Sequence, residues 1–210
     1  MKIDCLALGA YETNCYVLRS SEVVKDCLII DAGLGAHKLI NFLHENVLNP
    51  IAVVLTHGHI DHIEGVAALR AEFPDIKVYI HKLDAEMLTE PYTNLSAMTG
   101  APFSIEPADY LLEEKSIIEH DDIKLSVLHT PGHTPGGICL YCEDEGIAFT
   151  DDALFAESIG RTDFPNGNIE QLLQSIKEKL LTLPDETKVY SGHGPMTTIA
   201  HEKKYNPFLR

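Results

Sequence analysis

Three imidazoles and a carboxylate fall within Thr56-His57-Gly58-His59-Ile60-Asp61-His62. These are borderline-soft nitrogen and hard oxygen donors, a mixture that suits zinc, iron or manganese better than calcium or magnesium. The spacing favours two ions over one. His57 and His59 are two apart and can project the same way, whereas Asp61 and His62 lie further round the turn and can serve a neighbouring ion. Surface chance fits poorly, because the cluster lies inside the chain, directly after the apolar run 51–55. Three later positions each follow a strand-like run with a potential ligand: His133 in Thr130-Pro131-Gly132-His133-Thr134, Asp152 in Asp151-Asp152-Ala153-Leu154-Phe155, and His193 in Gly192-His193-Gly194. Glycine and proline beside the two histidines fit tight turns that hold an imidazole at the mouth of a sheet.

Such side chains need strand ends to carry them. Residues 1–8, 14–19 and 27–31 are rich in Ile, Val, Leu, Tyr and Cys and predict an opening meander. Leu39, Ile40, Leu43 and Val47 recur at helical spacing and predict a helix over 36–46, which Pro50 closes. Residues 51–55 predict the strand that enters the histidine cluster, and a helix over 63–73 leaves it. A strand over 77–80 and a helical piece over 82–88 follow. From 89 to 107, Pro91, Gly100, Pro102 and Pro107 break all periodicity and predict a long loop bordering the site. Strands resume over 116–119, 123–129, 137–142 and 147–150, with Asp121-Asp122 as a hairpin turn. Asn168 caps a helix, with Gln171 three residues on, and Leu172, Leu173, Ile176, Leu180 and Leu183 form its stripe before Pro184. A strand over 187–191 and a helical segment through Tyr205 end the chain. Strands then helix, twice over, predict an α/β protein with two sheets face to face and helices outside.

With 210 residues and 45% hydrophobic content, a single domain over 1–210 is expected. No run approaches the roughly 20 apolar residues of a bilayer span, and Met1-Lys2-Ile3-Asp4-Cys5-Leu6 is no leader, so a cytoplasmic protein without a membrane partner is expected. Five cysteines do not form the framework of a small secreted domain. Cys139 and Cys142, three apart on a strand, face opposite sides and are core thiols. The net charge of −16 disfavours nucleic acid as a partner, since such binding relies on clustered Lys and Arg.

The ordered set His-x-His-x-Asp-His, Pro-Gly-His-Thr, Asp-Ala-Leu-Phe and Gly-His-Gly resembles the metallo-β-lactamase superfamily, and within it the glyoxalase II-like (hydroxyacylglutathione hydrolase-like) hydrolases, over nearly the whole chain. Asn14-Cys15-Tyr16, Ile30-Asp31-Ala32-Gly33, Gly160-Arg161-Thr162-Asp163 and Asn206-Pro207-Phe208 resemble the same branch. The resemblance implies a four-layer αβ/βα sandwich holding two divalent metal ions, zinc first, with iron or manganese also compatible. It implies that His57, His59 and His133 hold the first ion, that Asp61, His62 and His193 hold the second, and that Asp152 bridges them. It places Asp31 behind a ligating histidine, where a carboxylate fixes the ring tautomer; the bland reading of Asp31 is a strand-end turn residue. This chain departs from the pattern at Asp151, where the branch often carries Gly, while Asp152 keeps the register.

The chemistry expected of such a pair is attack by a water made acidic by the metals, with Asp61 as the catalytic carboxylate that orients it. A thioester suits this best, because a thiol of pKa about 8.5 leaves with little help from an acid. The expected partner is therefore a small acyl thioester such as S-lactoylglutathione. The resemblance implies a carboxy-terminal helical extension in the glutathione-binding members, and most of it is expected to be absent from this chain, which is read to Arg210. Arg161, Lys203, Lys204 and Arg210 are left to meet a substrate carboxylate, although Arg161 can instead pair with Asp163. Competing readings are a persulfide dioxygenase with one iron, a lactonase or β-lactamase on the same ions, and a non-catalytic metal-binding module. Of the other histidines, His37, His44, His120 and His201 read as solvent-exposed, while His81 and His129, which end strands, read as supporting residues.

Overall fold

Apolar runs in the first half of the chain become one six-stranded sheet. Its strands are β1 (Lys2–Leu8), β2 (Thr13–Arg19), β3 (Asp26–Ile30), β4 (Asn49–Val54), β5 (Lys77–His81) and β6 (Tyr110–Leu112), hydrogen-bonded in that order. Neighbours are antiparallel from β1 to β3 and parallel from β3 to β6. Every residue of β2 is buried, including Arg19, which is paired there with Asp4 at 2.8 Å. The structure, a computed structural model describing residues 1–210, divides into two units: Met1–Leu112 with His120–Ile123, and Glu113–Glu119 with Lys124–Arg210.

In the first unit, parallel pairing of β3 with β4 and of β4 with β5 demands crossovers, and helices supply them. α1 (Ala36–Glu45) joins β3 to β4; α2 (Ile60–Ile63) and α3 (Val66–Glu72) join β4 to β5. Leu39 and Leu43 of α1 and Val66 and Leu69 of α3 bury against Val17, Ile29, Val53, Val78 and Ile80 of the sheet. Burying a side chain of this size stabilises by about 1.5–3 kcal/mol.

Two expectations for this unit are corrected. The helix over 63–73 is two short helices broken at Glu64–Gly65, because the Gly65 N–H donates to the Ala32 carbonyl at 2.7 Å. A Cβ on Gly65 would lie 2.8 Å from the Gly33 carbonyl oxygen, so only glycine permits that approach. Pro50 does not close α1. It sits within β4 at a register shift opposite Cys27, while α1 ends at Asn46, whose side-chain amide donates to the Phe42 carbonyl. The helical piece over 82–88 is a single 3₁₀ turn, Ala85–Leu88, and the 89–107 loop carries one more, Ser96–Thr99.

The second unit repeats the plan. Its six-stranded sheet runs β14 (Thr197–Thr198), β13 (Lys188–Ser191), β10 (Ile147–Asp151), β9 (Ile138–Cys142), β8 (Ile123–His129) and β7 (Ile117–His120), with β10 and β13 parallel. β11 (Leu154–Phe155) and β12 (Ser158–Ile159) form a separate hairpin. α4 (Ile169–Ser175) starts at Asn168, whose side-chain oxygen accepts the Gln171 N–H at 3.0 Å, and continues as a π-turn over Ile176–Leu180. Leu172, Ile176 and Leu180 pack with Cys139, Leu154, Val189 and Ile199, the first residue of α5 (Ile199–Tyr205). Cys139 and Cys142 are buried free thiols, as expected, and burial pushes Cys139 up to about 12. No helix is long and apolar enough to cross a membrane.

Candidate metal centre

The first unit gathers four of the expected donors at the end of β4. His57, His59 and His62 are buried, and the Asp61 side chain is partly exposed. His57 Nε2 lies 3.0 Å from His59 Nδ1, and His62 Nε2 lies 3.5 Å from Asp61 Oδ2. The loop is braced from three sides. Asp31, buried at the end of β3 with φ +56°, accepts the Thr56 N–H (2.9 Å) on Oδ1 and both the Thr56 hydroxyl (2.7 Å) and the His62 Nδ1–H (3.0 Å) on Oδ2. Buried Asp84 accepts the Gly58 N–H at 3.3 Å, and the Asn94 carbonyl accepts the Ile60 N–H at 2.9 Å. Thr13 donates its hydroxyl to Asp61 Oδ2 at 3.3 Å.

Glycine makes the loop possible at two points. A Cβ on Gly33 would lie 2.1 Å from the Asp61 carbonyl oxygen, and one on Gly58 would lie 2.4 Å from Met87 Cβ. These two glycines of the sequence motifs are thus places where two backbones, or a backbone and a side chain, touch.

The second unit gathers the other three. Asp152 directs Oδ2 toward His133 Nε2 and Oδ1 toward His193 Nε2, each at 3.6 Å. His133 Nδ1–H donates to the Arg161 carbonyl at 2.7 Å. His129, at the end of β8, donates Nε2–H to the Pro135 carbonyl at 2.9 Å, closing the loop that carries His133. Gly132 has φ +135° and its Cβ would lie 2.3 Å from the Leu172 amide nitrogen, so the loop lies directly on α4. Asp151 ends β10 at φ +47°, and its carbonyl accepts the Gly192 N–H at 3.1 Å, just before His193.

This donor geometry fits metal ions. Separations of 3.5–3.6 Å between imidazole nitrogen and carboxylate oxygen are too long for good hydrogen bonds. They match two ligands of one ion, which at metal–ligand distances of about 2.0–2.2 Å lie roughly 3.3–3.6 Å apart in a tetrahedron. His62 and His133 each donate Nδ1–H to an oxygen, which leaves Nε2 as the nitrogen bearing a lone pair, the tautomer a ligand needs.

A family profile described as the metallo-beta-lactamase superfamily matches residues 8–193. The chain belongs to this superfamily. Among its relatives is the Bacillus subtilis (strain 168) "Probable metallo-hydrolase YqgX", 41% identical over 100% of this chain and 98% of that protein. Another is the Haemophilus influenzae "Hydroxyacylglutathione hydrolase GloC", 37% identical over 100% of this chain and 98% of that protein. Among solved structures, the BLEG-1 B3 metallo-beta-lactamase superposes with a TM-score of 0.93 at 43% identity, covering 99% of each chain. The α/β class and the metallo-β-lactamase fold are therefore those of this protein, and superfamily membership supports a metal-dependent hydrolase.

Several supporting residues carry no sequence signal. Asp84 and Asn94 act on backbone N–H groups, Thr13 on the Asp61 carboxylate and the Arg161 carbonyl on one ring nitrogen, all from distant positions. His81 ends β5 with Nδ1 accepting the Leu83 N–H at 3.3 Å. His44 and His201 pair with exposed Glu72 and Glu157, both at 2.9 Å or less, and His120 lies 3.5 Å from Asp121. Arg161 is exposed, donates two hydrogen bonds of 2.7 Å to Asp163 and lies 3.9 Å above the Phe164 ring. The guanidinium holds the Asp163 carboxyl down to about 2.

Proposed function

We propose that this protein is a binuclear metal-dependent hydrolase of thioesters, with S-lactoylglutathione as the leading substrate. The observation that carries this reading is the likeness to a hydroxyacylglutathione hydrolase over the full length of both chains. His57, His59 and His133 would hold one ion, Asp61, His62 and His193 the other, and Asp152 both. When bound, two such ions acidify a water toward neutral pH and polarise the substrate carbonyl. Zinc is the proposed metal, and the N/O donor set also admits iron or manganese.

The chain's own residues supply the rest. Asp61, oriented by the Thr13 hydroxyl, accepts a hydrogen bond from the attacking water and aims it at the acyl carbon. Asp31 and the Arg161 carbonyl keep the protons of His62 and His133 on Nδ1, so neither ring is free to leave its lone pair unaimed. Arg161 is the proposed contact for a substrate carboxylate, which must compete with Asp163 for the guanidinium.

The test is metal analysis joined to a thioester assay before and after chelation, repeated with Asp61→Asn. Wild-type protein is expected to hold two metals per chain, to lose activity on chelation and to regain it on adding metal. Asp61→Asn is expected to lose about 10²-fold or more in kcat, in the range of a positioned acid–base group. Full activity of that variant with both metals bound would defeat the role given to Asp61. The 43% identity with a B3 metallo-beta-lactamase favours a second reading, hydrolysis of a cyclic amide on the same ions. A panel of S-lactoylglutathione, acyl lactones and a chromogenic β-lactam ranks the two, and oxygen uptake with glutathione persulfide separates both from a dioxygenase.

A further inference from the structure

The carboxy-terminal segment holds a buried carboxylate that takes no part in the chemistry above. Glu202, on α5, is fully buried, as is Asn206, which follows that helix. Glu202 Oε1 accepts the Thr197 hydroxyl at 2.6 Å, and Oε2 accepts the Glu157 N–H at 2.9 Å and the Asn206 side-chain amide at 2.8 Å. The same Asn206 amide donates to the Ser158 carbonyl at 3.0 Å, and Asn206 Oδ1 accepts the Phe208 N–H at 3.0 Å. The hydrogen bonds to Glu202 come from neutral groups; the one from the Glu157 N–H and the Asn206 bond to the Ser158 carbonyl fix the backbone at residues 157 and 158. A buried carboxylate with its charge satisfied in this way holds its donors more tightly than a neutral acceptor would.

What that backbone leads to gives the arrangement its consequence. Residues Ser158–Ile159 form β12, paired with β11, which directly follows Asp152 and Ala153. Gly160 comes next, so close to the other side of the hairpin that a Cβ there would lie 1.8 Å from the Asp152 carbonyl oxygen and 3.4 Å from His133 Nδ1. Arg161 then presents the carbonyl that receives the His133 Nδ1–H. From Glu202 to that carbonyl the path is a hydrogen bond to residue 157 and four residues of hairpin.

We propose that Glu202 and Asn206 are positioning residues for the metal centre: from the carboxy-terminal end they clamp the β11–β12 hairpin, and so set the Arg161 carbonyl that fixes the ring and tautomer of His133. This rests on the reading of His133 as a ligand. It also assigns a task to the Asn206-Pro207-Phe208 motif that neither substrate nor metal contact requires.

The test uses the full chain loaded with zinc, in wild type, Asn206→Ala, the gentler isostere Thr197→Val, Leu43→Ala as a control in the separate core of the first unit, and His133→Ala. Zinc affinity is read by chelator competition, stability by thermal melting, and the His133 Nδ1 proton by nitrogen-15 NMR. Asn206→Ala is expected to weaken one of the two ions about tenfold, the lower end of what loss of a ligand's supporting partner costs, and to speed exchange of the His133 proton. Thr197→Val is expected to do the same to a smaller degree, and it carries the test if Asn206→Ala does not fold. Leu43→Ala is expected to lower the melting temperature and leave zinc affinity unchanged. Unchanged affinity in both clamp variants, with one ion lost in His133→Ala, overturns the clamp and leaves the ligand reading intact. An equal affinity loss in Leu43→Ala also overturns it, since the effect would then be stability alone. Retention of both ions by His133→Ala overturns the ligand reading and the clamp with it.

Discussion

Asp31 shows how much one carboxylate can decide. Its Oδ2 accepts from both the Thr56 hydroxyl and the His62 ring, and its Oδ1 accepts the Thr56 N–H. In Asp31→Asn the amide cannot keep all three, because at least one former acceptor position now donates. If the amide replaces Oδ2, His62 is driven toward the tautomer with its proton on Nε2. Metal affinity is expected to fall about 10–100-fold with modest loss of stability, measured by chelator competition beside a thermal melt. Affinity equal to wild type would show that His62 is held by something other than Asp31. The donors around residues 57–62 were legible because they are contiguous and of metal-binding type. Asp84 and Asn94 were not, since an acceptor for a backbone N–H can come from any residue that the fold happens to bring there.

Glu114 ties together three pieces of the second unit: the segment before β7, the end of β8 and the π-turn after α4. It accepts the Lys179 ammonium on Oε1 and the His129 N–H on Oε2. Partial burial pushes its carboxyl upward, but the Lys179 and His129 donors outweigh that and hold it below the usual 4.5. A carboxyl lowered by folding contributes stability that is fully present above about pH 4.5 and is lost as pH falls through the lower folded value. Urea unfolding between pH 3 and 7 is expected to show a shallower acid decline for Glu114→Gln than for wild type. Parallel curves for the two proteins would remove Glu114 from the acid response.

At this scale, long strands such as β2 and β8 stood out in the sequence through unbroken or alternating apolar residues. β6, β11, β12 and β14, of two or three residues each, did not, because so short a segment has no period to read. The break between α2 and α3 was equally hidden. The apolar spacing runs on through it, and a carbonyl from residue 32 interrupts the helix.

Across the whole molecule, the thiols report how well the interior is closed. Cys5 is exposed, whereas Cys15, Cys27, Cys139 and Cys142 are buried. Burial pushes Cys27 as well as Cys139 up to about 12, so these thiols are neither accessible nor ionised at neutral pH. A thiol-reactive dye is expected to label one cysteine per native chain quickly and all five after unfolding. Rapid labelling of two or more in the native protein would mean that one of the sheets opens readily. The net charge of −16 acts at the same scale, repelling polyanions and, at low salt, anionic substrates alike.

By itself the sequence determined the donor types, their order along the chain and the apolar segments that deliver them, because residue chemistry and side-chain period are local properties. From these the superfamily and its fold were readable. Only the tertiary structure decided which oxygen faces which ring nitrogen, where glycine is obligatory, and that buried Glu202, 69 residues after His133, reaches the hairpin beside it. Those are contacts between backbones distant in sequence, and no local pattern encodes them.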